Sequence, residues 1–420
     1  MSDHTDLDAS AGRILASLLA RSHLLEPGTV AEAITEEAAP LGVRSVRIYL
    51  SDLQQRHLKP LPGPDGTSAP SLAIDTTIAG RAYRSIRTQR GAVSSAGEGQ
   101  RLWVPLVDGT ERLGVMEFTV ADASEPLQAW FRALASLAAL MIVSKATYSD
   151  TYAETRRTQQ MALQAELVWA FLPPRTFATS RVLLAATLEP AYAVGGDAFD
   201  YSVLGDHLHV SIFDGTGHDL AAGLLASVAM AACRSTRRAG GTLADVVASA
   251  HHAIAAQFGG NRFVTALLCD LDLVSGQFSW IPCGHPPPLL IRGNRVVKEL
   301  SRPQRLPLGL TEVGEAGNRP TAITAPEPAP LQTERLEPRD RLLLYTDGIT
   351  EGRAADGTPF GIERLSDFII RLSQDGTPAP ETIRRLHHAI SDYQHGHLGD
   401  DATIVMVEWM PDHPLEILTP

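Results

Sequence analysis

The sequence has few cysteines, a deficit of positive charge and no long hydrophobic run. The cysteines, Cys233, Cys269 and Cys283, form no C-x-x-C pair and leave one thiol over under any disulfide scheme. This favours a reducing compartment. The 48 acidic residues outnumber the 36 basic ones and give a formal charge of -12, which argues against a nucleic-acid surface. We therefore expect a cytoplasmic protein without nucleic-acid partners.

Targeting and membrane signals are also lacking. The N-terminus is acidic and polar, the reverse of the basic start and apolar centre of a signal peptide. The longest apolar runs, such as residues 221–233, are shorter than the roughly 18 residues that a membrane span needs. The histidine pairs at 207–209 and 395–397 have no partner cluster at a metal-site spacing, so we interpret them as surface.

The length of the chain, 420 residues, exceeds one typical core, and we expect two domains. Residues 1–145 alternate helix-like and strand-like segments. Ser124 is a candidate N-cap before Pro126 and a stripe of apolar residues at helical spacing. That stripe consists of Leu127, Phe131, Leu134, Ala138 and Met141. It predicts a helix that packs in the core, with a dimer seam as the alternative.

A helical connector is predicted over residues 149–175, inside a linker that we place at 146–180. Its start is polar, its end is apolar, and Pro173 and Pro174 terminate it. The apolar side consists of Leu163, Leu167, Val168, Phe171 and Leu172. We expect this side to pack on the C-terminal domain or on a dimer mate, because an exposed apolar face is costly.

From residue 181 onward the chain has seven strand-like runs with separate helical segments between them: "RVLLAATLEPA", "LHVSIFDG", "RFVTALLCDLDL", "QFSWIPCG", "PPLLIRG", "DRLLLYTDG" and "DATIVMVEW". The helical segments lie near 218–236, 244–258, 363–373 and 380–392. This pattern predicts an α+β domain over residues 181–412, with a sheet or a pair of sheets that carries helices on its faces. Residues 311–335 are rich in Pro, Glu and Ala and have no periodicity, so we expect a loop there.

Carboxylates stand where three of these strand-like segments begin or end, and a fourth, Asp197, follows two glycines. A single Asp-Gly is explained by turn chemistry alone, but strand ends gather at one edge of a sheet, where several carboxylates can converge. The segments are "AVGGDAFDY" with Asp197, "HVSIFDGTGHD" with Asp214, "LLLYTDGITEG" with Asp347, and "HLGDDATIVMVEW" with Asp400 and Asp401.

Converging carboxylates raise one another's pKa unless cations neutralise them, and oxygen ligands suit Mg²⁺ or Mn²⁺. Two such ions about 3.5 to 4 Å apart activate a bridging water and stabilise both oxygens of a phosphoryl displacement. Gly195 and Gly196 allow a close turn before Asp197, and Gly215 lets its carbonyl approach a cation. Because the sequence lacks a P-loop, G-x-S-x-G and H-R-D, it favours removal of phosphate over transfer from a nucleotide.

Residues 181–410 resemble the SpoIIE-like branch of the PPM-type, metal-dependent serine/threonine phosphatases. Six separated motifs occur in the order of that family: "VGGDAFDY", "SIFDGTGHDLAAGLLAS", "FVTALLCDLDLVSGQFSWIPCGHPPPLLI", "LPLGL", "LEPRDRLLLYTDGITEGRAADGTPFG" and "DDATIVMVEW". The resemblance implies an α+β fold, a phosphatase β-sandwich flanked by helices.

The resemblance also implies a site for two Mn²⁺ or Mg²⁺ ions, in which Asp214 bridges the ions and Asp214 and Asp347 serve catalysis. The implied metal ligands are Asp197, Asp214, the Gly215 carbonyl, Asp347 and Asp400. Asp401 is the alternative ligand if the register shifts by one residue. For His285, in "CGHPPP", we expect a structural hydrogen-bonding role.

The resemblance is incomplete beside Asp214. "DGTGHD" departs from the commoner Asp-Val-Ser-Gly-His-Gly at Gly215 and Asp219, and this affects the expected substrate contacts near the turn. The sequence offers no assignable arginine for phosphate binding.

Residues 1–145 resemble a GAF sensor domain, most clearly in "LWVPLVDGTERLGVMEF" and the helix that follows. This implies a domain that binds a small molecule or only dimerises. The sequence therefore predicts a GAF-regulated protein serine/threonine phosphatase, a homodimer without membrane contact. By family analogy its substrate is a phosphorylated STAS-type anti-sigma-factor antagonist. The alternatives are an inactive phosphatase fold acting as a scaffold, and a ligand sensor with a dimeric output platform.

Overall fold

A computed structural model describes residues 2–63, 69–93, 99–293, 295–310, 331–374, 377–395 and 398–411. The contacts between residues divide the chain into two units, one that extends to Gln160 and one that begins at Met161.

The first unit is built on an antiparallel six-stranded sheet with the order β3-β2-β1-β6-β5-β4. Its strands are β1 Val43–Ser51, β2 His57–Pro60, β3 Leu72–Ala73, β4 Gln89–Val93, β5 Gln100–Asp108 and β6 Glu111–Val120. Its α-helices are α1 Ser2–Arg21, α2 Val30–Glu37, α3 Ile78–Ser85, α4 Glu125–Lys145 and α5 Thr151–Arg156.

Both faces of this sheet are covered, because successive side chains of a strand point to opposite sides. On β6, Phe118 joins the cluster that contains Phe131 of α4, and the two rings stack 5.1 Å apart. Val115 joins a second cluster with Tyr83 of α3 and Trp103 of β5. The predicted apolar stripe of α4 is therefore core.

Helix α4 begins where the sequence predicted, after Ser124 and with a proline in its first turn. The Ser124 side chain makes no capping hydrogen bond, so its position was predicted correctly but its capping role was not. Among the described residues, α4 is also the one helix long and apolar enough to cross a membrane by length and composition. Half of its apolar window is buried, as in the core helix of a globular unit.

The connector is two helices and not the continuous helix that its periodicity predicted. Helix α5 ends at Arg156, and α6, Leu163–Phe171, begins in the second unit. Ala162 between them is extended, and its N–H donates to the Tyr192 carbonyl oxygen at 2.8 Å. This tertiary hydrogen bond replaces an intrahelical one, which is why local periodicity could not reveal the break.

The second unit contains two antiparallel sheets, with strand orders β15-β12-β11-β10-β9 and β14-β13-β16-β17-β8-β7. Its strands are β7 Thr176–Ala178, β8 Val182–Glu189, β9 Ala198–Leu204, β10 His207–Gly215, β11 Val264–Asp272, β12 Gln277–Cys283, β13 Leu289–Arg292, β14 Arg295–Glu299, β15 Gln332–Arg335, β16 Arg341–Tyr345 and β17 Ala402–Trp409. Its remaining helices are α7 Leu220–Arg238, α8 Leu243–Phe258, α9 Asp347–Thr350, α10 Gly361–Gln374 and α11 Ala379–Tyr393.

The two sheets form a β-sandwich with helices outside. Strands β8 and β17 are buried along their whole length, which requires cover on both faces. Helices α10 and α11 cover one face, where Ile369 and Leu386 join the cluster that contains Met406. The other sheet lies against the opposite face, and the Trp409 indole N–H donates to the Leu273 carbonyl oxygen at 3.0 Å. Helices α7 and α8 contact the sheet with the order β15-β12-β11-β10-β9.

The predicted α+β sandwich flanked by helices is confirmed, and so are the four predicted helices of this unit. Four strands, β7, β9, β14 and β15, were not predicted. Strand β15 corrects the end of the predicted loop at 311–335, since it pairs with β12 at the sheet edge. Residues 311–330 of that loop lie outside the described residues.

Candidate active site

Four strand ends of the second unit bring the predicted carboxylates to one edge of the sandwich. Asp197 immediately precedes β9, and Asp214 lies at the end of β10, the antiparallel neighbour of β9. Asp347 follows the end of β16, and Asp400 precedes β17, with which β16 pairs. Antiparallel pairing places the end of one strand beside the start of its neighbour, so each sheet contributes two carboxylates.

Asp197 ties the two sheets together. Its Oδ2 accepts hydrogen bonds from the hydroxyls of Thr346 at 2.8 Å and Thr403 at 2.7 Å, which belong to the other sheet. Burial raises the pKa of Asp197 well above its ordinary value, and the carboxylates of Asp401 and Asp214 raise it further. The two hydroxyls oppose this shift because they stabilise the charged form.

The Asp401 carboxylate holds the turn that presents Asp197. Its Oδ2 accepts the main-chain N–H groups of Gly195 and Gly196 at 2.8 Å each and that of Asp197 at 3.2 Å. Asp401 is buried, whereas Asp400 is exposed and accepts the Asp401 N–H at 2.9 Å. Because this oxygen already accepts three main-chain N–H groups, it has little capacity left to bind a cation. The arrangement therefore favours Asp400 as the metal ligand and Asp401 as the group that holds the Asp197 turn.

Two glycines are required by close approaches in the site. A Cβ on Gly196 would lie 2.0 Å from the Gly215 carbonyl oxygen, and one on Gly348 would lie 1.9 Å from the Asp401 carbonyl oxygen. Both distances are far below van der Waals contact, so only glycine fits. The Gly215 N–H also donates to the Gly196 carbonyl oxygen at 3.0 Å, which fixes the predicted carbonyl ligand beside the Asp197 turn.

The remaining carboxylates repel one another. Burial raises the pKa of Asp214 to about 7, with further contributions from Asp347, Asp400 and Asp401. Burial also raises the pKa of Asp347, followed by repulsion from Asp400 and Glu351. Hydrogen bonds from hydroxyl and main-chain N–H groups oppose these increases in pKa. A cluster of this kind attracts cations, since they would restore the charged forms.

The donor set fits hard divalent cations. Carboxylate and carbonyl oxygens are the ligands that Mg²⁺ and Mn²⁺ prefer, and Mg²⁺ keeps several waters beside one or two carboxylates. Within the described ranges, no three His, Cys, Asp or Glu side chains are gathered as a ready cage for one ion. The arrangement therefore suits ions that bind through few protein oxygens each and complete their shells with water.

His285 lies behind Asp214 and does not carry a charge there. Its side chain is fully buried, and burial lowers its pKa to about 3. Its Nδ1 lies 2.9 Å from Thr265 Oγ1, and the Thr265 hydroxyl in turn donates to Asp214 Oδ2 at 3.4 Å. This geometry agrees with the structural hydrogen-bonding role expected from the sequence.

The sequence analysis missed three threonines, Thr265, Thr346 and Thr403, whose hydroxyls support Asp197 and Asp214. All three stand within the quoted motifs, and Thr346 and Thr403 lie within two residues of an aspartate, in "YTDG" and "DDAT". Threonine is common in strands for its branched shape, so the residue type alone gave no functional signal. Only the meeting of the two sheets reveals the role.

The raised pKa values predict how pH changes the stability of the metal-free protein. Folding raises the pKa of Asp214 from 3.8 to about 7, so the folded state binds more protons than the unfolded state between these values. The free energy of unfolding should therefore fall as pH rises through this range. Thermal unfolding in chelator should give a lower Tm at pH 8 than at pH 5.5. Added Mn²⁺ should raise the Tm more at pH 8, and an equal effect at both pH values would contradict the prediction.

The helices and sheets of the second unit are consistent with a PPM-type phosphatase fold. Residues 205–410 match the family described as stage II sporulation protein E (SpoIIE). This part of the chain belongs to the SpoIIE family.

Solved structures with this similarity come from several bacteria. The RsbU and RsbW domains of Rv1364c from Mycobacterium tuberculosis are 25% identical, with a TM-score of 0.45 over 56% of this chain and 63% of that chain. The SiaA-PP2C domain of Pseudomonas aeruginosa is 21% identical, with a TM-score of 0.45 over 54% of this chain and 85% of that chain. The PP2C phosphatase domain of SpoIIE from Bacillus subtilis, with a fragment of its regulatory domain, is 18% identical, with a TM-score of 0.43 over 56% and 66% of the two chains. The chain thus spans less than two thirds of the first of these structures.

Proposed function

We propose that the chain is a metal-dependent phosphatase that hydrolyses phosphoserine and phosphothreonine on a partner protein. The observation that carries the proposal is the meeting of Asp197, Asp214, Asp347 and Asp400, from four separated segments, at one edge of the sandwich. Their mutual repulsion is hard to explain as turn chemistry, because a turn needs no second carboxylate.

In this proposal two Mn²⁺ or Mg²⁺ ions are held by Asp197, Asp214, the Gly215 carbonyl, Asp347 and Asp400. When bound, such ions activate water and stabilise the oxygens of a phosphoryl displacement. Asp214 would serve as the ligand that both ions share, and its carboxyl group, whose pKa is raised by burial, would lose its proton when metal binds. Thr346 and Thr403 hold Asp197 in one orientation.

The assay that tests this proposal measures phosphate release from a phosphoserine protein and hydrolysis of p-nitrophenyl phosphate, with and without Mn²⁺. We expect turnover that requires Mn²⁺ or Mg²⁺ and stops on addition of EDTA, because the chain supplies ligands and no nucleophile of its own. Full activity in EDTA would contradict the two-ion site. Metal binding without any turnover would instead support the inactive scaffold.

We infer the substrate from the family resemblance alone. The inferred substrate is a phosphorylated STAS-type anti-sigma-factor antagonist, so the protein would act in sigma-factor regulation. A panel of phosphorylated STAS-domain proteins tests this, since the true partner should show a kcat/KM well above that of p-nitrophenyl phosphate. Equal rates on all phosphoproteins would argue against one dedicated partner.

We propose that the first unit is a GAF-like sensor domain and that it forms the homodimer contact. Apolar side chains remain exposed on its helices: Leu19 of α1 is 59% exposed, Leu140 of α4 is 59% exposed and Val143 is 40% exposed. Exposed apolar groups of this size favour burial against a partner. Light scattering of the wild type and of a Leu19→Ser, Leu140→Ser variant measures the effect, and a monomeric wild type would contradict the dimer.

Helix α6 is the first helix of the second unit and directly follows the first unit in the sequence. Ala165 and Val168 are buried, while Leu163 is 65% exposed, so only part of the predicted apolar side is covered. The Phe171 carbonyl oxygen at the end of α6 accepts a hydrogen bond from Arg234 Nη2 at 2.6 Å. The same Arg234 atom lies 2.7 Å from Asp200 Oδ1.

These contacts connect α6 to the site through β9. Asp200 lies on β9, and this strand begins directly after Asp197. The Trp169 indole N–H donates to the Ala191 carbonyl oxygen at 2.8 Å, in the segment just before the Asp197 turn. A displacement of α6 would therefore shift the elements that position Asp197. Such coupling between a sensor and a site amounts to about 1 to 3 kcal/mol.

Replacing Leu167 and Phe171 with alanine should change turnover, or its response to the first unit, at saturating Mn²⁺. Both side chains are half-buried on α6, and we expect a several-fold change in kcat because the coupling energy is small. The exposed Leu163→Ala is the matched control and should leave kcat unchanged. A lower Tm with unchanged specific activity would show that these residues contribute only to packing.

A further inference from the structure

Arg262, which the sequence did not identify as a site residue, lies against the turn that follows Asp214. Arg262 Nη1 and Nη2 donate to the two carboxylate oxygens of Asp219 at 2.8 and 2.7 Å. Nη1 also donates to the Thr216 carbonyl oxygen at 3.3 Å. The guanidinium therefore lies across the turn of residues 216–219, between β10 and α7.

Strand pairing places this arginine beside the end of β10 that carries Asp214 and Gly215. Gly215 pairs with Val264, and the Thr216 N–H donates to the Phe263 carbonyl oxygen at 3.1 Å. Arg262 is thus two residues beyond the partner of Gly215, roughly 7 Å along an extended chain. A guanidinium on a long side chain spans that distance. It can reach a group bound beside the Gly215 carbonyl.

The ion pair is accessible and exchangeable. The side chain of Arg262 is 32% exposed and that of Asp219 is 57% exposed. Exposed pairs of this kind are screened by water and contribute little to stability, so a competing anion can replace one partner. Asp219 has a second role, since its Oδ1 also accepts the Ala222 N–H at 3.0 Å and caps α7. Its carboxylate need not move for the guanidinium to be exchanged.

A phosphoryl group has the geometry that this guanidinium recognises. Arginine presents parallel N–H donors that match two oxygens of a carboxylate or of a phosphate, and a dianion offers the stronger partner. The side chains of Asp197, Asp214, Asp347 and Asp400 supply no positive charge, and in their ionised forms they would repel a phosphate ester. A cation at the rim offsets that repulsion on the side of the turn.

We propose that Arg262 is a phosphate-binding residue of this site, and that Asp219 competes with the phosphoryl group for its guanidinium. The inference rests on the proposed phosphatase function and names the residue that sets its affinity for the phosphoryl group. Because Asp219 occupies the guanidinium when no phosphoryl group is bound, it lowers the affinity of the site for phosphate.

Two substitutions with opposite expected effects test the proposal. Asp219→Asn keeps an oxygen that caps α7 but removes the charge that holds Arg262, so the inhibition constant for inorganic phosphate should fall about two- to fivefold. Arg262→Ala should raise it about tenfold, because hydrogen bonds to charged groups are among the strong ones. The inhibition constant of Arg262→Lys should lie between those of the wild type and Arg262→Ala. The variant that combines Asp219→Asn with Arg262→Ala should have the inhibition constant of Arg262→Ala.

A purely structural ion pair predicts a different pattern. Both single substitutions would then lower the Tm and shift the inhibition constant in the same direction, or leave it unchanged, and either outcome overturns the proposal. Arg181→Ala is the matched control, since it removes the exposed pair with Asp206 next to the opposite end of β10. It should leave the inhibition constant unchanged.

Calorimetric titration of inorganic phosphate into the Mn²⁺-loaded full chain separates this inference from the proposed function. If the wild type hydrolyses phosphoprotein but Arg262→Ala binds phosphate equally well, the inference is wrong and the function stands. If no form hydrolyses phosphoprotein, the proposed function is wrong, and weaker phosphate binding by Arg262→Ala would still support the role of the arginine.

Discussion

Asp347→Asn should reduce Mn²⁺-dependent turnover by about a hundredfold or more while the protein stays folded. Loss of a group that merely orients a metal ligand costs 10- to 100-fold, so loss of a proposed ligand charge should cost at least as much. Asparagine has the shape of aspartate and suits the same turn. In chelator the variant should be at least as stable as the wild type, because it removes a carboxylate that is repelled by Asp400 and raises the pKa of Asp214.

The chain offers a matched control for this substitution. Asp356 also precedes a glycine in a turn, is exposed, and accepts the Thr358 N–H at 2.9 Å. Asp356→Asn should be nearly silent in both kcat and Tm. Steady-state kinetics at saturating Mn²⁺ and thermal unfolding in EDTA give both values. Rates of Asp347→Asn within a few-fold of the wild type would show that Asp347 is only a turn residue.

Asp401→Ala should lower both stability and activity. The substitution leaves the N–H groups of Gly195, Gly196 and Asp197 without the oxygen that they share, and a buried donor without a partner costs about 1 to 3 kcal/mol. Because the three donors share one acceptor and can relax together, we expect a total loss of about 3 kcal/mol. Turnover should fall as well, since the Asp197 turn loses its anchor.

The neighbouring Asp400 provides the contrast. Asp400→Asn should abolish most turnover but leave the free energy of unfolding in chelator near that of the wild type, because this side chain is exposed. Asp401→Asn retains an acceptor oxygen and should recover much of the stability lost in Asp401→Ala. Urea unfolding in EDTA with kinetics in Mn²⁺ distinguishes the two positions. The reverse pattern, a stable Asp401→Ala and an unstable Asp400→Asn, would exchange their roles.

Much of the second unit was predictable because its periodicities are strong. The run from Leu342 to Tyr345 and the segment from Ala402 to Trp409 are apolar, bounded by turn residues, and buried as strands. Short edge strands such as β14 and β15 carry mixed polar residues and half-exposed patterns, so they resemble loops in sequence. The break between α5 and α6 depends on a hydrogen bond to a distant loop, which no local pattern contains.

For the candidate site, the sequence determined which carboxylates stand at strand ends, since an aspartate after an apolar run is visible without a structure. It could not decide between Asp400 and Asp401, because adjacent aspartates have the same chemistry until their surroundings differ. The fold makes them different: one side chain is exposed and the other is buried against three N–H groups.

The sequence by itself thus determined the α+β class of residues 181–412, because apolar periodicity is a local property, and the order of the motifs, which carries the resemblance that implied the sandwich. Only the tertiary structure decided which groups share a space. Asp197 meets Thr346 and Thr403 across two sheets, and Arg262 meets Asp219 across 43 positions of the chain. Contacts of this kind form where separate strands end, and their physical cause is the packing of one sheet on another.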